Sequence, residues 1–238
     1  MTEVCSARVL MFDLDDTLVD DGQATASAAK ALFQHYQPQQ EAAALTHWQR
    51  ALKKYYPDFL QAKISASEMR QARAREALQM PQLSDAEAEQ AFEYFMQQYI
   101  AATQLYAESL ACLAQLRQQG WRLALVSNGP EDMQQRKVTA AGLNPYFEFV
   151  LTAEAAGAAK PKAAIFQQAA QRAQVSLSQC CYIGDNLAND AQGAAAAGMQ
   201  SIWLKRDGLA AQVQPYQGVA WQISSLTQLI HCIELDKG

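Results

Sequence analysis

Five short apolar runs, at residues 8–12, 121–126, 147–151, 180–183 and 201–204, constrain the fold of this chain more than anything else in it. Each is too brief for a helix of ordinary length, and each gives way to turn-forming or polar residues. Helix-length segments separate the later runs. Residues 109–119 end at Gly120, a segment after Pro130 ends near Gly142, and 162–173 and 190–197 follow, the last closed by Gly198. Near-continuous apolar strands alternating with helices require a parallel sheet covered on both faces, so the chain is predicted to be α/β and doubly wound. Between the first two runs the texture changes. Residues 22–103 are rich in Ala, Gln and Glu, carry helical periodicity, and are punctuated at Pro38, Pro57 and Pro81. Ser84 followed by Glu87 is a capping-box signature, opening a helix through Phe92, Phe95, Met96 and Tyr99. The expected organisation is an α/β core of residues 1–20 and 105–238, with an all-helical insert of about four helices at 21–104.

The bulk composition excludes several roles. With 19 basic and 24 acidic residues the net charge is −5, which argues against nucleic acid or an anionic membrane as the main partner and leaves room for a small anionic substrate. No apolar stretch approaches the ~20 residues of a membrane span, and the N-terminus lacks a basic-then-apolar leader, so a soluble, cytoplasmic protein is expected. Monomer is the default. Cys5, Cys112, Cys180, Cys181 and Cys232 are odd in number and form no C-x-x-C pair, which predicts reduced thiols, with Cys180 and Cys181 as core packing. His35, His47 and His231 share no ligand spacing.

Ligands of a parallel α/β sheet bind beyond the carboxyl ends of its strands. There the chain concentrates its short polar groups. The first strand runs into Asp13-Leu14-Asp15-Asp16-Thr17, the second into Ser127-Asn128-Gly129, and the fourth into Gly184-Asp185-Asn186 with Asp190 close behind. Each stretch alone reads as a turn. Together at one edge they pose an electrostatic problem, because crowded carboxylates are costly to desolvate unless something positive sits among them. Other chemistries fail on spacing. Leu125 stands where a G-x-S-x-G serine hydrolase needs glycine, and Met199 and Gln200 replace the lysine and hydroxyl of a phosphate loop after Gly193–Gly198.

With D-L-D-D-T-L at 13–18, S-N-G at 127–129, K-P at 160–161 and G-D-N-L-A-N-D at 184–190, the chain resembles the haloacid dehalogenase (HAD) superfamily, in its phosphatase branch with a C1-type helical cap. The stretch from Ser127 to Lys137 and the W-Q-I-S-S-L tail from Trp221 are similar to pyrimidine nucleotidases and N-acylneuraminate-9-phosphatases. The Ala158-Ala159 pair departs from their more usual glycine-containing loop. The resemblance implies a Rossmannoid core and an Mg²⁺-dependent phosphatase that forms an aspartyl-phosphate. Asp13 would be the nucleophile and Asp15 the general acid and then base. Asp13, the Asp15 carbonyl and Asp185 would ligate Mg²⁺, supported by Asp190 from the second rank. Thr17, Ser127, Lys160 and the amides of Leu14 and Asn128 would hold the phosphoryl oxygens, and Asp16 would be a solvated or turn residue. Dehalogenase relatives lack an acid two residues after the nucleophile. A phosphosugar mutase and a non-catalytic binding module on the same fold are the alternatives.

The implied substrate is a small phosphate monoester, a nucleoside monophosphate or sugar phosphate, with specificity in the cap. The aromatics Trp48, Tyr55, Tyr56, Phe59, Phe92, Tyr94, Phe95 and Tyr99 are expected to be mainly core, and Lys53 and Lys54 solvated.

Overall fold

The computed structural model describes residues 8–206 and 218–234. The chain divides into two compact units, Met1–Asp20 with Leu105–Gly238, and Asp21–Gln104. Cys5 and the His231 side chain lie outside the described residues.

The first unit is built on β1 (Val9–Phe12), every residue of which is buried. The second unit takes the chain from there through α1 (Asp21–Tyr36), a 3-10 turn Pro38–Ala43, α2 (Ala44–Leu60), α3 (Ala66–Leu78) and α4 (Asp85–Ala101). The chain returns to the first unit with α5 (Ser109–Gln118), β2 (Arg122–Ser127), α6 (Glu131–Ala140), β3 (Val150–Thr152), the single turn α7 (Ala153–Ala156) and α8 (Ala163–Arg172). Then come β4 (Cys180–Gly184), a wide π-type turn Leu187–Gln192, α9 (Gly193–Ala197), β5 (Gln200–Leu204), β6 (Trp221–Ile223) and α10 (Leu226–Glu234).

All strands are parallel, in the order β3-β2-β1-β4-β5-β6. The order reverses beside β1, so β1 and β4 open a crevice at their carboxyl ends, which is where such sheets bind ligands. Strand periodicity sorts the core. Leu10, Phe12, Leu123, Leu125, Cys181 and Ile183 belong to one apolar cluster, and Val9, Met11, Ala124, Val126, Cys180 and Tyr182 to another. Adjacent residues of a strand face opposite sides of the sheet, so the apolar runs are continuous because both faces are covered. Cys180 and Cys181 are thus packing residues, one for each face.

Several expectations need correction. The run at 147–151 pairs as β3 only over Val150–Thr152. Glu148 N and the Phe149 carbonyl still bond to β2, while Phe147 turns inward edge-on to Phe12, with ring centroids 6.2 Å apart. The helix expected from Asp190 begins instead as the wider turn at Leu187. β6 and α10 were not foreseen. A three-residue strand carries too little periodicity to read, whereas α10 buries Leu226, Leu229, Ile230 and Ile233 at ordinary helical spacing.

The helical unit packs α1 on α4, α2 on α3 and α3 on α4. Of the aromatics expected in its core, Trp48, Phe92, Phe95 and Tyr99 are buried, whereas Tyr55, Phe59 and Tyr94 are half-buried and Tyr56 is exposed. Fully buried Trp48 stacks on Phe95 at 3.8 Å, and the Arg73 guanidinium lies 4.1 Å over the Trp48 ring. Burial pushes the Arg73 pKa down to about 10. The Tyr99 hydroxyl donates to Asp21. His35 stacks on Tyr94 and His47 packs on Phe33. Capping boxes open both α3 (Ser65 with Glu68) and α4 (Ser84 with Glu87). Pro57 lies inside the last turn of α2 rather than ending it. Lys54 is not simply solvated, since it pairs with Glu76 at 2.7 Å.

Candidate active site

β1 delivers Asp13 directly after its last paired residue. The Asp13 amide still donates to the Ile183 carbonyl (2.9 Å), which fixes the backbone just where the side chain leaves the sheet. The chain then turns sharply. Leu18 and Val19 both donate to the Leu14 carbonyl, Asp16 donates to Val19, and Asp16 takes a left-handed φ of 56°. Aspartate tolerates that region better than most residues, so Asp16 serves as the turn. Asp13 and Asp15 emerge together toward one cavity of about 200 Å³, also lined by Ser127, Asn128, Lys160 and Asp185. That volume is below the roughly 300–1,000 Å³ of a typical small-molecule pocket and is sized for a small charged group.

Lys160 organises the acidic side of this cavity. Only 5% exposed, its Nζ donates to Asp13 Oδ1 (2.8 Å) and to the Tyr182 hydroxyl (2.9 Å). It also lies 2.7 Å from Asp190 Oδ1, as an ion pair off the hydrogen-bond direction. Burial would push the Lys160 pKa down, but Asp13, Tyr182 and Asp190 together raise it well above the ordinary value. The Tyr182 hydroxyl passes its own hydrogen bond to the Val126 carbonyl (2.6 Å). Asn128 holds the lysine loop from both sides: its Nδ2 donates to the Lys160 carbonyl (3.0 Å) and its Oδ1 accepts from the Lys160 amide (2.7 Å).

β4 brings Asp185 and Asp190. Burial pushes the Asp185 carboxyl up to about 7, reinforced by Asp13, Asp190 and Asp16. Burial likewise lifts Asp13 to about 6, with Asp190 adding to the rise, while Lys160 and the Leu14 amide pull it down. Both rises have the causes expected of carboxylates buried beside one another, namely desolvation and mutual repulsion. Ligand oxygens of Asp13, Asp185 and Asp190 come within 4.8 Å of one another. Asp190 is committed elsewhere, to Lys160 and to the Asn186 amide at 3.0 Å.

Two glycines make this crowding possible. A Cβ on Gly184 would stand 2.5 Å from the Asp190 carboxylate, and one on Gly129 would stand 2.0 Å from the Gln134 amide nitrogen. Neither carries a positive φ, so the requirement is close approach.

The residues named from the sequence come together at these strand ends, Lys160 from the loop between α7 and α8, but in different positions. Asp13, Asp15, Ser127, Asn128, Lys160, Asp185 and Asp190 line the cavity, whereas Leu14 and Thr17 do not. The Leu14 side chain is core. Thr17 is fully buried, its hydroxyl accepting from the Asp185 amide (3.0 Å) and lying 3.3 Å from Asp185 Oδ1. The sequence reading missed Gln134, Lys137, Tyr182, Trp203 and Arg206. Trp203 donates to the Asp185 carbonyl (2.7 Å). Arg206 donates to the Asp16 and Thr17 carbonyls, pairs with Glu108 at 2.7 Å and stacks over Tyr106, pinning the loop after β1. Gln134 and Lys137 hold Asp15, Gln134 by a 2.8 Å bond and Lys137 by an ion pair. Their i, i+3 spacing on α6 was legible, but nothing in the sequence says what that face meets.

The chain is similar to known proteins. The chain is 29% identical over 222 residues to a phosphoserine phosphatase of Thermus thermophilus, covering 84% of this chain and 89% of that protein. It is 26% identical to human N-acylneuraminate-9-phosphatase, over 85% and 84% of the two chains. Among solved structures, the Bacillus subtilis HAD-hydrolase YfnB, bound to magnesium, superposes with a TM-score of 0.74 at 24% identity, covering 95% of this chain and 98% of that one. A 2-haloacid dehalogenase from Pseudomonas syringae pv. tomato superposes with a TM-score of 0.72 at 28% identity, over 96% and 99%. Residues 7–198 match the family of haloacid dehalogenase-like hydrolases, and with the sheet order and the acidic strand ends already described, this places the chain in that family.

Proposed function

We propose that the protein is an Mg²⁺-dependent phosphatase that cleaves a small phosphate monoester through an aspartyl-phosphate on Asp13. The observation that carries this reading is the juxtaposition of Asp13, paired with buried Lys160, and Asp15, held by Gln134 and Lys137, on one turn at the carboxyl end of β1. A single carboxylate would serve an alkyl-halide displacement. A second one, two residues on and opening to the same cavity, supplies the proton that an alkoxide leaving group needs.

The donor set fits a hard divalent cation, because Asp13 and Asp185 are oxygen ligands whose raised pKa values mark a place short of positive charge. Asp13, Asp185 and the Asp15 carbonyl would hold Mg²⁺. When bound, the ion supplies charge stabilisation for the phosphoryl oxygens. The remaining work falls to the chain itself. Lys160 orients Asp13 and offsets charge on the phosphoryl group as a compact ammonium. The Ser127 hydroxyl and the amides of Leu14 and Asn128 meet the phosphoryl oxygens, aided by the positive end of α6. Thr17 contributes through Asp185, whose carboxylate and amide it holds, so its role shifts from direct phosphate contact to positioning. Asp190 supports Lys160. The substrate is proposed to be a nucleoside monophosphate or sugar phosphate. The similar N-acylneuraminate-9-phosphatase bears the name of a sugar phosphate, which supports the sugar-phosphate reading, while the similar phosphoserine phosphatase supports only the broader class of small phosphate monoesters.

The test is phosphate release from an aryl phosphate and a panel of metabolite phosphates, with Mg²⁺ or chelator, alongside halide release from a 2-halo acid. Wild type with Mg²⁺ is expected to release phosphate, and chelated protein and Asp13→Asn to lose at least ~10³-fold, in line with loss of a nucleophile. Halide release without phosphate release would transfer the chain to the dehalogenases.

A further inference from the structure

Two polar side chains of α6 are buried where apolar ones would cost less. Lys137 and Gln134 are both 0% exposed. Lysine is among the residues least often fully buried, and Gln134 leaves its Oε1 buried without a partner, a cost a leucine or methionine would avoid. Both meet Asp15. Lys137 forms an ion pair with Asp15 Oδ1, and Gln134 Nε2 donates to Asp15 Oδ2 at 2.8 Å. The same Gln134 nitrogen lies 2.8 Å from Ser127 Oγ, and Gly129 is bare where a Cβ would collide with that amide. The Asp15 side chain keeps 29% exposure and lines the cavity, so it is gripped from behind and open in front.

We infer that Lys137 and Gln134 are positioning residues that fix the Asp15 carboxylate for proton transfer, with Gln134 coupling its orientation to the phosphoryl-binding hydroxyl of Ser127. This rests on the reading of Asp15 as general acid and base. In the first half-reaction the Asp13 oxygen bonds to phosphorus, the ester P–O bond breaks, and the Asp15 proton passes to the leaving alkoxide. In the second, the Asp15 carboxylate takes a proton from water. The water oxygen bonds to phosphorus, the Asp13–phosphorus bond breaks, and orthophosphate leaves with Asp15 protonated again. In both halves the proton must travel along a fixed line, and a free carboxylate would rotate away from it.

The leaving group separates this role from a structural one. A nitrophenolate departs unprotonated, an alkoxide does not. For Lys137→Met, kcat/KM is expected to fall on the order of 10²-fold with the best alkyl phosphate of the panel, and less than about 3-fold with 4-nitrophenyl phosphate, as for loss of a general acid. Gln134→Met, which keeps Lys137 and is the safer fold, is expected to show the same selectivity at smaller size. In an Asp15→Asn background neither change is expected to cost more. Equal losses on both esters, or no loss on the alkyl ester, in whichever variants fold with a native melting transition would overturn the positioning role. Equal losses in Asp15→Asn alone would instead strike the acid–base assignment on which it rests.

Discussion

At the residue scale, what sets this site apart is how few of its polar atoms are left to solvent to arrange. Asn128 spends its side chain on the backbone of Lys160, and Thr17 spends its hydroxyl on Asp185, so the amides and carboxylates beside them are held without moving parts. The glycines belong to the same economy. Gly184→Ala would drive a methyl to 2.5 Å from the Asp190 carboxylate. Since β4 is central and cannot yield, Asp190 must leave its place beside Lys160. The expected outcome is a loss of about 1–3 kcal/mol in urea unfolding together with a severe fall in kcat. Unchanged kcat would mean that Asp190 does not matter to Lys160. Asp13, Asp15 and Asp185 were legible because they are polar residues placed where apolar strands end, whereas Lys160 was singled out only through the family resemblance. Tyr182 and Arg206 were illegible because their value lies in which distant groups they reach.

At the element scale, strands were read more easily than the turns that follow them. A strand covered on both faces is a continuous apolar run, a one-dimensional signal. The wide turn at Leu187–Gln192 has no such signal: it follows from seating Asp190, 1% exposed, against a bare Gly184. Wide turns of this kind recur at functional sites, where they re-aim a side chain. Helix α4 of the second unit shows the opposite case, with local chemistry that is sufficient to place its start. Ser84 accepts from the Glu87 amide while Glu87 reaches back to the Ser84 amide at 2.8 Å. Ser84→Ala is expected to cost about 1 kcal/mol in stability by thermal or urea unfolding, with kcat on an aryl phosphate unchanged. Trp48→Ala, which empties the aromatic centre of the same unit, is expected to cost about 3–5 kcal/mol.

At the scale of the whole molecule, the charge of the site links stability to pH and metal. Asp13 and Asp185 have pKa values raised to about 6 and about 7, so the metal-free fold retains protons that the unfolded chain has released. That contribution is fully present below the ordinary carboxylate range and is lost as pH rises through about 6 to 7. On the proposed reading a cation would need the same two carboxylates ionised, so Mg²⁺ would compete with protons there. The melting temperatures of Mg²⁺-loaded and chelated protein are therefore expected to coincide near pH 5 and to separate progressively above pH 7. A gap independent of pH would place the ion elsewhere. Among the described residues no helix is long and apolar enough to cross a membrane. The sequence by itself determined the parallel α/β sheet, the helical insert and the strand ends that carry the acids, because hydrophobic period and residue type are local properties of a chain. Only the tertiary structure decided that Thr17 serves Asp185, that Tyr182 backs Lys160, and that a buried lysine and glutamine from α6 grip Asp15. Such pairings join residues as much as 168 positions apart, and their geometry exists only once the sheet has brought its strand ends together.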